Sequence, residues 1–244
     1  MWREFASAPQ AGNVRSPRTP GSCWRVAAAA LAAALALGGA AACVPASESA
    51  PTDADPVVAQ RQLSELTVAK AGSMRGYRRD RFPHWNGAGS NCDVRDTVLR
   101  RDGEDVRLRG CNVVGGQWFS EYDGRTVDGP STVDIDHMVP LANAWRSGAS
   151  TWTQQRREEF ANDVTRPQLV AVSRTTNRAK GDQDPSQWKP PNRAYWCRYA
   201  QDWVTVKHYW RLSVTSTEKT ALEKMLETCR WQDRTARPTA TLSS

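Results

Sequence analysis

With 244 residues, the chain has room for one ordinary domain plus appendages. A net charge of +7 permits a polyanionic partner without establishing one, and the six cysteines include no Cys-x-x-Cys pair, so a cysteine zinc site has little support. Eleven tryptophans would suit a sugar-binding surface, but most fall at helix or turn positions that suit core packing instead.

Residues 1–25 hold Arg3, Arg15, Arg18 and Arg25 against one acid, Glu4, and residues 26–42 read VAAAALAAALALGGAAA before Cys43. A basic stretch, a short apolar stretch and a small-residue exit describe a secretory signal peptide over 1–42. The apolar run is 17 residues of mostly Ala and Gly. A bilayer core needs roughly 20, so export is favoured over a retained membrane anchor. Ala40-Ala41-Ala42 before Cys43 leaves two routes open: lipidation of Cys43 with attachment at the cell surface, or plain cleavage and release. Losing 1–42 removes four basic residues and one acidic one, which takes the charge from +7 to +4. Residues 43–59 are rich in Pro, Ser and acids and read as a disordered tether, with a short helix expected over 57–69. Residues 233–244 read as a disordered tail, which leaves a folded unit over 60–232.

Within that unit a helix is expected over 93–101, then strands over 106–108, 113–119 and 133–139 separated by Gly-containing turns. Helices follow over 141–147 and 153–162, then a short apolar strand QLVAV over 168–172, then a helix from Ser173 through Lys180. Two further helices cover 195–212 and 216–230, the second with a capping box in Thr215 and Glu218. The fold class is α+β with a small antiparallel sheet and no internal repeat. Export makes the four cysteines beyond Cys43 a disulfide framework with three possible pairings. With the turn between the last two helices near Ser213, Cys197 lies 16 residues before it and Cys229 lies 16 after. Antiparallel helices place such residues side by side, so Cys197 pairs with Cys229 and Cys92 with Cys111.

The stretch richest in chemistry is Asp134-Ile135-Asp136-His137-Met138-Val139-Pro140-Leu141. Alternation along a strand puts Asp134 and Asp136 on one face and His137 on the other. Pro140 then stops the ladder, so Asp136 and His137 can both turn into a cleft. Asn177-Arg178-Ala179-Lys180-Gly181-Asp182 follows on the helix after QLVAV, and that helix brings Asn177 and Lys180 back against Asp136 and His137. A hard divalent cation, Mg²⁺ or Mn²⁺, takes oxygen ligands, and Asp136 with the amide oxygen of Asn177 supplies two. Neutral His137 can take a proton from water, and Lys180 or Arg178 nearby can offset charge on a phosphate.

DIDHMVPL followed by TNRAKGD resembles the signature of HNH (ββα-metal) endonucleases. The closer resemblance is to the C-terminal domain of GmrSD-type restriction endonucleases and its secreted actinobacterial relatives. It runs from GYRRDRFPHW through Cys92, Cys111, DIDHMVPLANAWRSGA, RPQLVAV and NRAKGDQDPSQWKPP to Cys229. The resemblance implies a ββα-metal core, Asp136 and Asn177 as metal ligands and His137 as general base. It also implies a bracing amide for the loop that holds the base, at the position of Gln168, where the pattern has Asn. Gln is longer, so looser bracing is expected.

Each residue also has a structural reading. His84, in FPHW, either supports the nucleic-acid site or packs on Trp85; His208 reads as a half-exposed helix-face residue. Arg178 and Lys180 are either phosphate contacts or solvated helix charges, and Asp134 reads as a supporting residue. The function expected is that of an exported, monomeric, metal-dependent nuclease of low sequence preference acting on DNA over RNA. Nothing similar to a base-reading module is present. Two other classes stay open: a catalytically silent binding protein on the same scaffold, and another secreted metal hydrolase, such as one acting on cell-wall material.

Overall fold

The computed structural model describes residues 55–85, 87 and 92–229. The expectations for the signal peptide, for Cys43, for most of the tether and for the tail lie outside the described residues. Asp55 accepts from the backbone N–H of Val57 at 2.7 Å and Pro56 follows it, so helix α1 (Pro56–Glu65) opens on a side-chain cap and a preset φ. Val58, Ala59 and Leu63 of α1 are buried. This helix stands where a short one was expected over 57–69, starting one residue earlier and ending four residues sooner.

Helix α2 (Val94–Asp102) is capped by Asp93 and buries Val98 and Leu99. Strands β1 (Gly103–Arg109), β2 (Asn112–Ser120) and β3 (Arg125–Asp128) form an antiparallel sheet in that order. The third strand was not anticipated, because RTVD is only four residues long between two turn signals, Asp123-Gly124 and Asp128-Gly129. Gly116, at φ 142, lies where a Cβ would sit 2.9 Å from the Trp118 ring, so the irregular β1–β2 register is built over that indole. Trp118 is fully buried and donates from Nε1 to the carbonyl of Leu99 at 2.9 Å, locking α2 to the sheet.

A second, separate sheet holds β4 (Val133–His137) against β5 (Leu169–Ser173), antiparallel, with Asp136 opposite Val170 and His137 opposite Leu169. Between them the chain makes α3 (Leu141–Arg146) and α4 (Gln154–Ala161). Helix α5 (Arg174–Lys180) starts from Ser173, whose hydroxyl accepts from the N–H of Thr176, and packs on both strands. Strand, strand, helix in this order is the ββα unit anticipated from the sequence. Val133, Ile135, Leu169 and Ala171 face a small core with Val98, Leu99 and Trp118, while Val172 joins the larger core. The larger core is organised by α6 (Trp196–Trp210) and α7 (Ser216–Leu226), with Trp203, Tyr199 and Leu222 fully buried.

These last helices form the expected hairpin. Thr215 and Glu218 make a full capping box, and the turn passes through Arg211 in the left-handed region. Cys197 is bonded to Cys229 with Cα atoms 4.9 Å apart, and Cys92 to Cys111 at 5.4 Å. Among the described residues no helix is long and apolar enough to cross a membrane.

Candidate active site

Asp134 and Asp136 share the face of β4 that α5 covers. Asp136 is buried, and its Oδ2 accepts from Lys180 Nζ at 2.5 Å and from the hydroxyl of Tyr122 at 2.6 Å. Oδ1 takes no hydrogen bond from the described residues. Burial pushes the Asp136 carboxyl up, and the adjacent Lys180 ammonium opposes that shift. Asn177, one turn before Lys180, donates from Nδ2 to Asp134 Oδ2 at 3.2 Å. A carboxylate accepts only, so this bond fixes the amide orientation and leaves Oδ1 of Asn177 free of it. Gly181 ends α5 at φ 55, ψ −126, a conformation that suits glycine, and so α5 stops one residue after Lys180.

Lys180 departs from expectation. Instead of meeting phosphate at the surface it is 0% exposed, and its ammonium donates to Asp136, to the carbonyl of His137 at 2.9 Å and to that of Met138 at 3.0 Å. All three of its protons are spent on the site's own backbone and carboxylate. Burial lowers its pKa, with Asp136 opposing. Arg178 is exposed on α5 and does not line the cleft described below.

His137 points to the other face. Its Nε2 lies 3.0 Å from the carbonyl of Ala161, at the end of α4. A carbonyl cannot donate, so Nε2 carries the proton and Nδ1 keeps the lone pair. Trp85 stacks on the ring with centroids 5.7 Å apart and planes 24° apart, and His84 meets it edge-on, also at 5.7 Å. Trp85 holds a φ of 61, a strained conformation for a tryptophan, at the point where its indole covers the imidazole. Burial drives the pKa of His137 down to about 3, so the ring is neutral throughout the physiological range. His84 is held by its own Nδ1 on the carbonyl of Phe82 at 2.6 Å, and burial lowers its pKa as well. It forms a wall for His137. His208 is half-exposed and paired with Glu65 at 2.7 Å, remote from these groups in partner and element.

The expectation of loose bracing by Gln168 is corrected. Gln168 is fully buried, accepts from the N–H of Val139 at 3.1 Å and donates to the Val139 carbonyl at 3.0 Å. Its own carbonyl takes the N–H of Met138 at 2.7 Å. The extra methylene spans the gap to both polar groups of Val139, and the turn after β4 is clamped at two successive residues.

A cleft of about 230 Å³ opens where these elements meet, lined by Tyr77, Arg79, Asp136, His137, Asn177 and Asp182 among others. Tyr77 and Arg79 belong to the GYRRDRFPHW stretch, in which the sequence pointed to His84 alone. Tyr122 was missed as well: nothing in EYDG marks its contact with Asp136 in advance. Among the described residues no group of three or more His, Cys, Asp or Glu side chains converges on one point. The residues present fit a hard cation that keeps most of its waters: the cleft lining includes a carboxylate with one oxygen that takes no hydrogen bond from the described residues, and a side-chain amide oxygen, both on rigid elements. Carboxylate, amide oxygen and neutral imidazole together can hold such an ion and accept a proton from water beside it.

Residues 94–225 match the family described as GmrSD restriction endonucleases, C-terminal domain. A protein of Arthroderma benhamiae, named an uncharacterized secreted protein, is 55% identical over 172 residues, which cover 70% of this chain and 84% of that protein. No solved structure matches the chain. The ββα unit, the paired cysteines and the DH and N-x-x-K residues all fall within or beside the matched span, and the chain belongs to the family of the GmrSD restriction endonuclease C-terminal domain.

Proposed function

We propose that the chain is an exported endonuclease that hydrolyses phosphodiester bonds of nucleic acid, DNA over RNA, with a divalent cation and low sequence preference. The observation that carries this reading is His137: a neutral imidazole, its tautomer fixed by the Ala161 carbonyl, lining one cleft with Asp136 and Asn177. In this reading Nδ1 of His137 accepts a proton from the attacking water, while the Nε2–H bond keeps the ring aimed. A Mg²⁺ or Mn²⁺ held by Asp136 and Asn177 would polarise the phosphate and offset its charge. Lys180 holds Asp136 and the two carbonyls in place and touches no substrate. The match to a restriction endonuclease family supports DNA as substrate, and the secreted name of the Arthroderma relative together with the two disulfides supports export.

Incubating the chain from Cys43 onward with plasmid DNA and with single-stranded RNA, in Mg²⁺, Mn²⁺ or chelator, tests the reading. Plasmid cleavage that chelator abolishes is the expected result. Binding without cleavage in any metal, or clearing of peptidoglycan instead, overturns it.

A further inference from the structure

Hydrolysis of a phosphodiester places extra negative charge on the oxygens that flank phosphorus, and a site gains most from a cation aimed at them. Lys180 cannot supply it, since its three donors are taken inside the protein. Arg178 lies outside the cleft lining. Among the residues that line the cleft the one cation is Arg79, in the 3₁₀ turn Arg79–Arg81. It is exposed, and no side chain or carbonyl among the described residues takes its guanidinium, whereas neighbouring Arg78 is paired with Asp80 at 3.2 Å. Its charge is felt at three groups that line the cleft, His137, Asp136 and Tyr77, and at His84 beside them, in each case pulling the pKa downward. A guanidinium offers a planar fork that matches two phosphate oxygens.

We infer that Arg79 is a catalytic residue of this site, donating to the non-bridging oxygens of the scissile phosphate. The inference rests on the nuclease reading above. Water oxygen bonds to phosphorus and its proton passes to Nδ1 of His137. One bridging P–O bond breaks, and the leaving oxygen takes a proton from solvent, giving a phosphomonoester and a hydroxyl. Arg79 neutralises the charge that grows on the remaining oxygens and exchanges no proton.

The test compares wild type, Arg79→Ala, Arg79→Lys and Lys224→Ala, the last an exposed charge on α7 outside the cleft. Cleavage of a fluorescent DNA duplex in Mg²⁺ gives kcat and KM, and anisotropy of the same duplex in chelator gives binding. Arg79→Ala is expected to lose on the order of 10²-fold or more in kcat, as removal of one charge-stabilising donor does. Its KM and chelator-state binding should change by much less. Arg79→Lys should recover part of kcat, and Lys224→Ala should match wild type. Thermal unfolding should be unchanged in all, because neither Arg79 nor Lys224 is buried. Wild-type cleavage with Arg79→Ala within threefold of it overturns the role of Arg79 alone. A wild type that cleaves neither duplex nor single strand in any metal overturns the nuclease reading and Arg79's role with it.

Discussion

Taking an ammonium out of water costs several kcal/mol unless each proton finds an oxygen, and Lys180 finds three, on Asp136, His137 and Met138. Replacing it by Met removes the charge that balances Asp136 and leaves two carbonyls unmet. Lys180→Met should therefore lose about 3–5 kcal/mol of stability in urea unfolding, the usual cost of breaking a buried pair from one side. Asp136→Asn combined with Lys180→Met should lose less than the two single losses added, because the second change no longer strands a charge. Strict additivity would mean that the pair is not coupled. His137 belongs to a different class of residue. His137→Ala should cut cleavage by about 10²–10⁴-fold, the range for loss of a general base, while Mn²⁺ binding by calorimetry stays near wild type. Asp136→Ala and Asn177→Ala should instead weaken that binding. Cleavage by His137→Ala at near wild-type rate removes the assignment of the base. The spacing of DH and N-x-x-K made these residues readable in the sequence, since β4 and α5 each display a fixed face. Arg79 and Tyr122 were not readable, because their approach to Asp136 is set by tertiary packing and not by any local period.

At the scale of elements, local signals were informative where they were physical constraints on the backbone. Asp93, Ser173 and Thr215 each cap the helix anticipated after them. The mirror placement of Cys197 and Cys229 about Ser213 became a bond because α6 and α7 are antiparallel and the chain carries Cys229 three residues past the end of α7, back to the start of α6. Strand β3 gave too short a signal, and the division into two sheets depends on the register of β4 with β5, which no single segment specifies. Gln168 shows how a pattern can mislead. Judged against an Asn-bearing signature it looked too long, yet the turn after β4 is shaped to that length, with both polar groups of Val139 satisfied. Gln168→Asn should thus lower activity and not raise it. The shorter amide cannot reach both groups, and each buried backbone group left unmet costs about 1–3 kcal/mol. Cleavage rate and unfolding midpoint, read side by side, check this; a variant faster than wild type at equal stability would show that the turn adapts.

Across the whole molecule, two buried titratable groups set opposing pH slopes. Burial leaves His137 with a pKa of about 3 against its ordinary 6.5, so the unfolded chain binds a proton more readily. That contribution to stability is fully present above pH 6.5 and is lost as pH falls toward 3. Asp202, on α6, is pushed up to about 6 by burial, although Arg198 Nε at 2.8 Å opposes the shift. Its contribution has the other sign: present below the ordinary 3.8, lost as pH rises through 6. Each slope is about 1.4 kcal/mol per pH unit where it acts. Between pH 3.8 and 6 the two oppose each other, which flattens the acid limb of the stability curve. Asp202→Asn keeps the size of the side chain and removes its titration. The stability of wild type relative to this variant should fall steadily as pH rises from 4 to 6, then level off. The variant alone should gain stability over the same interval, as His137 escapes competition for protons by the unfolded chain. Urea midpoints at half-unit steps from pH 3.5 to 7.5, in chelator so that no cation contributes, give both curves. A wild-type-minus-variant difference that stays constant with pH would mean that Asp202 is ionised in the folded protein well below pH 6, held there by Arg198 against the pull of burial.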